Sequence, residues 1–131
     1  MKLSVAYLCA LPTGFTAERE GHAAGVRTFP IVAIASCGYM LLLQNIPNSN
    51  TVENSSRVLQ GLITGIGFVG GGAILKEGLT VHGTATAASI WNTGAVGAAV
   101  ALGKYEVAIA LSTLNMITLW ILVPLKKRLD R

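Results

Sequence analysis

The sequence predicts an all-α fold, a polytopic transmembrane bundle of about five helices that forms a single domain over residues 1–131. Of the 131 residues, 52% are hydrophobic and only 12% are charged, whereas about a quarter of the residues in soluble domains are charged. So few polar side chains cannot cover a surface in water, which disfavours a soluble helical bundle. Strands are not expected, because polar and apolar residues do not alternate strictly.

Five apolar stretches are predicted to form the helices, at residues 3–17, 29–43, 58–75, 84–102 and 105–125. A helix needs about 20 residues to cross a bilayer, within a range of about 17 to 25, and the last three stretches meet this length. The first stretch reaches only about 22 Å as a helix and contains Pro12. It is therefore either a signal peptide or a short first helix whose upstream residues are missing.

The distribution of Lys and Arg predicts how the bundle is oriented. If the C-terminus is cytoplasmic, the inner segments hold seven cations, at Arg19, Arg27, Lys76, Lys126, Lys127, Arg128 and Arg131. The outer segments then hold three, at Lys2, Arg57 and Lys104. The positive-inside rule favours this arrangement, with the N-terminus outside. The polar segment 45–57 is then predicted to be an outer loop.

The net charge of +4 does not indicate nucleic-acid binding, because no helix carries a Lys/Arg stripe and the cations do not cluster with aromatic residues. Cys9 and Cys37 lie in apolar stretches and are too few for a disulfide framework. No Cys/His spacing resembles a zinc site. We therefore expect no metal centre, no cofactor and no nucleic-acid partner.

Small residues are predicted to pack the third stretch closely against the fourth as a central helix pair. Gly61 and Gly65 are four residues apart, as are Gly67 and Gly71, and Gly94 lies on the fourth stretch. This spacing lets two helix backbones approach closely in lipid. The run at residues 70–72 is read either as close packing or a kink, or as a break that lines a polar site.

Two asparagines lie inside apolar stretches, Asn92 in the fourth and Asn115 in the fifth. An amide is costly in lipid, so both are predicted to be buried against protein. An interhelical hydrogen bond is favoured over a transport role.

Charged residues gather at two junctions between apolar stretches. The predicted orientation places both junctions on the cytoplasmic side, where inward-facing ionisable groups are expensive and usually functional. We therefore predict one polar network formed by Glu18, Arg19, Glu20, Arg27, Lys76 and Glu77.

Four segments in order resemble the MgtC/SapB family of bacterial inner-membrane proteins. They are Glu18-Arg19-Glu20, Ala24 to Thr28, Gly65 to Ile74, and Gly83 to Trp91. The chain departs from the family at Pro12 and Thr16, where glycines are usual, and at Phe29, where a histidine is common. The resemblance implies about five spanning helices and favours a spanning helix for the first stretch. Larger members continue into a cytoplasmic ACT-like domain, so this chain resembles a short form.

The resemblance also implies a role, although few activities in the family are established. Some members are linked to survival at low magnesium and inside host cells, one branch to restraint of the membrane ATP synthase, and many carry a magnesium-transporter label. We expect a non-enzymatic protein of the bacterial inner membrane, with no catalytic residues. Its expected partners are the lipid bilayer and another membrane complex or a second copy of the chain. The alternative is a small transporter or channel for Mg²⁺ or another cation.

Overall fold

A computed structural model describes residues 1–19, 21–22, 24–46, 52–122 and 124–125. These residues form five α-helices and one small two-stranded sheet, which confirms the all-α class. The helices are α1 (Lys2–Arg19), α2 (Thr28–Gln44), α3 (Val52–Gly71), α4 (Thr84–Ala101) and α5 (Tyr105–Ile117). Glu20, Ala23 and the C-terminal cations Lys126, Lys127, Arg128 and Arg131 lie outside the described residues.

The first helix contains Pro12, as predicted, and extends to Arg19. The fifth α-helix ends earlier than predicted, at Ile117, and continues as a π-helical turn, Thr118–Leu122. Pro124 follows this turn and has no backbone N–H, so one α-helical hydrogen bond is lost there. Prolines and single π-helical turns are both recognised sites of local irregularity in α-helices.

The third helix begins at Val52, so the prediction of an outer loop over residues 45–57 is wrong for its last six residues. Polar side chains stabilise this exposed first part of α3. Arg57 forms an ion pair with Glu53 one turn earlier, at 2.8 Å, and the hydroxyl of Ser56 donates to the carbonyl of Val52. Such contacts support a helix where no apolar face is buried. Residues 47–51 lie outside the described part of the chain.

A hairpin connects α3 to α4, so the expectation of no strands is wrong here. Strands β1 (Leu75–Glu77) and β2 (Thr80–His82) pair antiparallel. Gly78 lies at the tip with a φ of 62°, a conformation that glycine adopts without strain. Gly83 precedes α4 with a φ of 84°, and a methyl group there would overlap the carbonyl oxygen of Ala73.

The central element is α4, which contacts α1, α2, α3 and α5. Its buried face is made largely of Ala, Gly, Ser and Thr, so four helices can approach it closely. The backbone of α2 approaches α4 closely at Gly97, where a methyl group would overlap the carbonyl oxygen of Ala33. The predicted central pair of third and fourth helices is therefore corrected, because α4 packs more extensively on α2 than on α3.

Hydrogen bonds identify which helix ends lie together. At one end, which we call the Lys2 end, Lys2 Nζ and Gln44 Nε2 both donate to the carbonyl oxygen of Ala101, at 2.6 and 3.3 Å. These bonds bring together the start of α1 and the ends of α2 and α4. At the opposite end, the His22 end, the α1–α2 loop contacts the start of α4 through His22 and Thr86.

Length and hydropathy single out one helical segment in the described chain as able to cross a membrane, Tyr105–Leu122 with 18 residues. The second helix, Thr28–Gln44, is apolar and has 17 residues. Many large apolar side chains on the other helices are exposed nonetheless, among them Leu8, Phe15, Tyr39 and Phe68. An outer surface of this kind is typical of helices that are solvated by lipid.

Candidate functional site

The loop between α1 and α2 is closed by Glu18, the first of the predicted network residues. Its Oε2 accepts a hydrogen bond from the backbone N–H of Val26 at 2.9 Å. Gly25 lies directly beneath this carboxylate, and a methyl group there would overlap Glu18 Oε2. Glycine at position 25 therefore lets the carboxylate reach the loop backbone, and Glu18 fixes how α2 begins.

The other described members of the predicted network are separate. Arg19 and Arg27 are exposed at the His22 end, and Lys76 and Glu77 are exposed on the hairpin. Within the described ranges the only ion pair joins Arg57 to Glu53, which are not members of the network. The structure therefore does not join Glu18, Arg19, Arg27, Lys76 and Glu77 by ion pairs, and Glu20 lies outside the described residues.

A histidine that was not among the predicted site residues lies at this junction. His22 Nδ1 is 2.7 Å from the hydroxyl oxygen of Thr86, and Thr86 is almost completely buried. The backbone N–H of His22 also donates to the carbonyl of Ala17. His22 thus ties the loop to the first turn of α4. The sequence could not predict this contact, because the two residues are 64 positions apart in the chain.

Polar side chains in the middle of the bundle bond to neighbouring helices, and the two asparagines that were predicted to be buried are half-buried. Asn115 Oδ1 accepts from the hydroxyl of Ser89 at 2.8 Å, which joins α5 to α4. Asn92 Nδ2 donates to the carbonyl of Leu111 at 3.3 Å. Ser112 donates to the carbonyl of Cys9, which joins α5 to α1. Hydrogen bonding between helices thus occupies these central polar groups.

The packing glycines differ from those predicted. Gly94 packs against the side chain of Ile66, as expected for a contact between α4 and α3. A second close contact, found at Gly70, places an added methyl group 2.9 Å from the carbonyl oxygen of Ala87. By contrast, nothing in the described chain lies within 4 Å of a methyl group added at Gly61, Gly65, Gly67 or Gly71. These four glycines are exposed, so their predicted role in packing α3 against α4 is wrong.

Two of the exposed glycines, Gly61 and Gly65, border a long groove between α2 and α3. The groove has a volume of about 850 Å³ and is lined mainly by apolar side chains, including Ile31, Tyr39, Leu62 and Val69. Arg27 and Thr28 lie at its end nearest the α1–α2 loop. A smaller groove of about 310 Å³ runs between α3, α4 and α5, and Lys104 is among its lining residues.

The described residues contain no group of three or more His, Cys, Asp or Glu side chains that could hold a metal ion. The charged side chains lie at helix ends or on the hairpin. The arrangement in the described residues thus offers apolar grooves and helix faces rather than a set of convergent ligands.

Comparison with protein families matches the MgtC family over residues 3–128. Relatives include slr0014 of Synechocystis, 35% identical over 95% of this chain and 52% of its own length, and SrpB of Synechococcus elongatus, 32% identical over 90% and 71%. A third is YhiD of Escherichia coli, 28% identical over 98% and 62%. No solved structure matches.

The chain spans about half of slr0014 and less than two thirds of YhiD, so it corresponds to a part of these longer proteins. The match reaches from the start of α1 to beyond the π-helical turn, and thus includes all five helices. Family membership implies a membrane location. The chain belongs to the MgtC family.

Proposed function

We propose that this protein is a non-enzymatic module of the bacterial inner membrane that binds another membrane protein complex and modulates its activity. All five helices would cross the bilayer, with the N-terminus outside and the C-terminus in the cytoplasm. The positive charges support this orientation, because the four cations of the C-terminal tail add to three on the His22 side, whereas the segments on the Lys2 side hold three. A close-packing face on α3 that the described helices leave uncovered supports this proposal.

This face, the outer α3 face, consists of Gly67, Phe68 and Gly71. The two glycines are one turn apart, and the described chain leaves open space where their side chains would be. Phe68 lies between them in sequence with 85% of its surface exposed. A helix of another protein can approach the backbone closely at such a glycine pair and pack against the aromatic ring.

A photo-crosslinking amino acid in place of Phe68, introduced into the whole chain in native membranes, tests the proposal. We expect it to capture a helix of a different membrane protein. The activity of that protein should change when the wild-type chain is absent, and should return to its original level when the chain is restored.

The Gly67→Leu/Gly71→Leu variant should fail to restore this activity, because leucines fill the space that the partner helix needs. Its own folding should be preserved, since nothing in the described chain lies against these positions. The matched control is Ala110→Leu, an exposed small residue on α5, which should restore activity fully. If the crosslinker captured only a second copy of this chain, self-association would replace the proposed partner. If the glycine variant restored the partner's activity as well as wild type does, the outer α3 face would not be the binding surface.

A second candidate is transport of Mg²⁺ or another cation, which is favoured by the name of YhiD, a relative carrying a provisional magnesium-transporter assignment. Magnesium requires octahedral oxygen ligands and usually retains several waters. The mid-bundle amides and hydroxyls described above already hydrogen-bond across helices, to a side chain or to a backbone carbonyl, which argues against a permeation path there. Flux of Mg²⁺ into liposomes containing only this protein, above that of protein-free liposomes, would favour transport over the docking role.

A further inference from the structure

The groove between α2 and α3 is lined mainly by apolar side chains and has one positively charged side chain, Arg27, at one end. Its volume of about 850 Å³ falls within the range of about 300–1,000 Å³ found for small-molecule sites. Arg27 and Thr28 lie at one end, and Ile46 and Val58 lie towards the other. The groove therefore extends along most of α2.

The guanidinium group at the end of this groove is available for a ligand. Arg27 is exposed and forms no ion pair or hydrogen bond through its side chain with any described residue. The nearby carboxylate of Glu18 is already engaged by the N–H of Val26.

The backbone at the start of α2 does not compete with Arg27 for an anion. Thr28 and Phe29 both donate their N–H groups to the carbonyl of Gly25, and Pro30 has no N–H. Arg27 thus supplies the charged donor at this end of the groove, next to the hydroxyl of Thr28, which also lines it.

We propose that this groove binds an anionic phospholipid, with the phosphate on Arg27 and an acyl chain along the channel. A planar guanidinium binds phosphate through two parallel hydrogen bonds, and basic pockets between membrane helices recognise acidic headgroups. Gly61 and Gly65 leave room for the chain, because no side chain covers the backbone there. This inference depends on the membrane location and is independent of the partner proposed above.

The affinity of the whole chain in mild detergent for phosphatidylglycerol and for zwitterionic phosphatidylcholine, measured by native mass spectrometry, tests the headgroup contact. We expect wild type to bind phosphatidylglycerol about tenfold more tightly, as one charge-assisted contact provides. Arg27→Gln should bind the two lipids about equally. The matched control, Arg19→Gln, removes an exposed arginine that does not line the groove and should retain it. Equal preference in Arg27→Gln and wild type would overturn the proposal.

A second experiment tests the acyl chain. Gly65→Leu should weaken binding of both lipids, because its side chain enters the channel from a position with open space around it. Glycerol phosphate without acyl chains should bind far more weakly than phosphatidylglycerol. A photo-crosslinker in place of Ala35, which lines the groove, should capture lipid in native membranes. Capture of a protein helix instead, or unchanged lipid binding by folded Gly65→Leu, would contradict lipid occupancy.

Discussion

Single residues determine how closely the helices approach one another. At some positions a glycine leaves room for the neighbouring backbone, and at others a side chain forms a hydrogen bond to the next helix. Gly97 illustrates the first effect, because the backbone of α2 lies where its side chain would be. The hydrogen bond between Ser89 and Asn115 illustrates the second. Where no water is expelled between helices, these are the interactions that hold a bundle together.

Replacing Gly97 with alanine is expected to destabilise the bundle by about 1–3 kcal/mol, the usual cost of overpacking. The added methyl group meets the carbonyl oxygen of Ala33 and lies 2.8 Å from Ser36 Cβ, and a helix backbone cannot move aside cheaply. Unfolding in a denaturing detergent measures the change. Gly61→Ala is the control and should stay within about 1 kcal/mol of wild type, because nothing lies near that position. Equal stability of the two variants would contradict the tight contact between α2 and α4.

The hydrogen bond between α4 and α5 is expected to appear as a coupling energy of about 0.6–1.7 kcal/mol. A double-mutant cycle with Ser89→Ala and Asn115→Ala, followed by the same unfolding measurement, gives this value. The control cycle pairs Ser89→Ala with Thr118→Ala, since the exposed Thr118 donates to the carbonyl of Leu114, one turn earlier, and to no other described residue. That control should show coupling below about 0.5 kcal/mol. No coupling in the first cycle would mean that the bond does not form.

At this scale the sequence predicted that Asn115 must find a partner, because a lipid-facing amide is costly. The sequence did not predict which glycines contact another helix. A four-residue spacing shows that two glycines share a helix face, but it does not show which helix, if any, packs against that face. Gly61 and Gly94 are both glycines on helices, yet only Gly94 meets a side chain from another helix, that of Ile66. The His22–Thr86 contact was also beyond the sequence, because it depends on how the loop lies over α4.

Among the elements, α4 organises the bundle, and its C-terminal end is held by side chains from two neighbours. Lys2 and Gln44 both donate to the carbonyl of Ala101, one of the carbonyls that a helix end leaves without an intrahelical donor. The positive charge of Lys2 also complements the negative end of the helix dipole. The sequence predicted Lys2 only as an outer charge, because its reach to Ala101 depends on the packing of α1 against α4.

Replacing Lys2 with methionine is expected to lower the free energy of unfolding by about 1 kcal/mol. Methionine keeps the length and apolar character of the side chain and loses the donor and the charge. Lys104→Met removes an exposed lysine near the same end of α4 and should change stability much less. If the two variants lost the same stability, the effect would come from the loss of a positive charge at this end of the bundle. The hydrogen bond to Ala101 would then not be its cause.

Helix boundaries show where sequence reasoning succeeds for whole elements. Apolar runs predicted the starts of α4 and α5 correctly, at Thr84 and Tyr105. The start of α3 was missed, because polar residues such as Glu53 and Arg57 stabilise an exposed helix without an apolar signal. The hairpin was missed because its strands are three residues long and exposed at every position, so no periodicity marks them.

For the whole molecule, low charge content predicted a helical membrane bundle, and the all-α fold and the family membership agree with this prediction. The bundle is organised around α4 and its small side chains. Large side chains such as Phe68 and Trp120 are exposed around it. Small side chains at the centre and large apolar side chains on the outside suit a protein whose outer surface is solvated by acyl chains.

We expect lipid to solvate the outer surface of this bundle, where large apolar side chains are exposed. The most direct test separates cell membranes that contain the whole chain, washes them with alkaline carbonate, and follows the protein by size-exclusion chromatography with and without detergent. The protein should stay in the washed membranes and elute as a single species only in detergent. Release by the wash as a monodisperse particle in detergent-free buffer would contradict it.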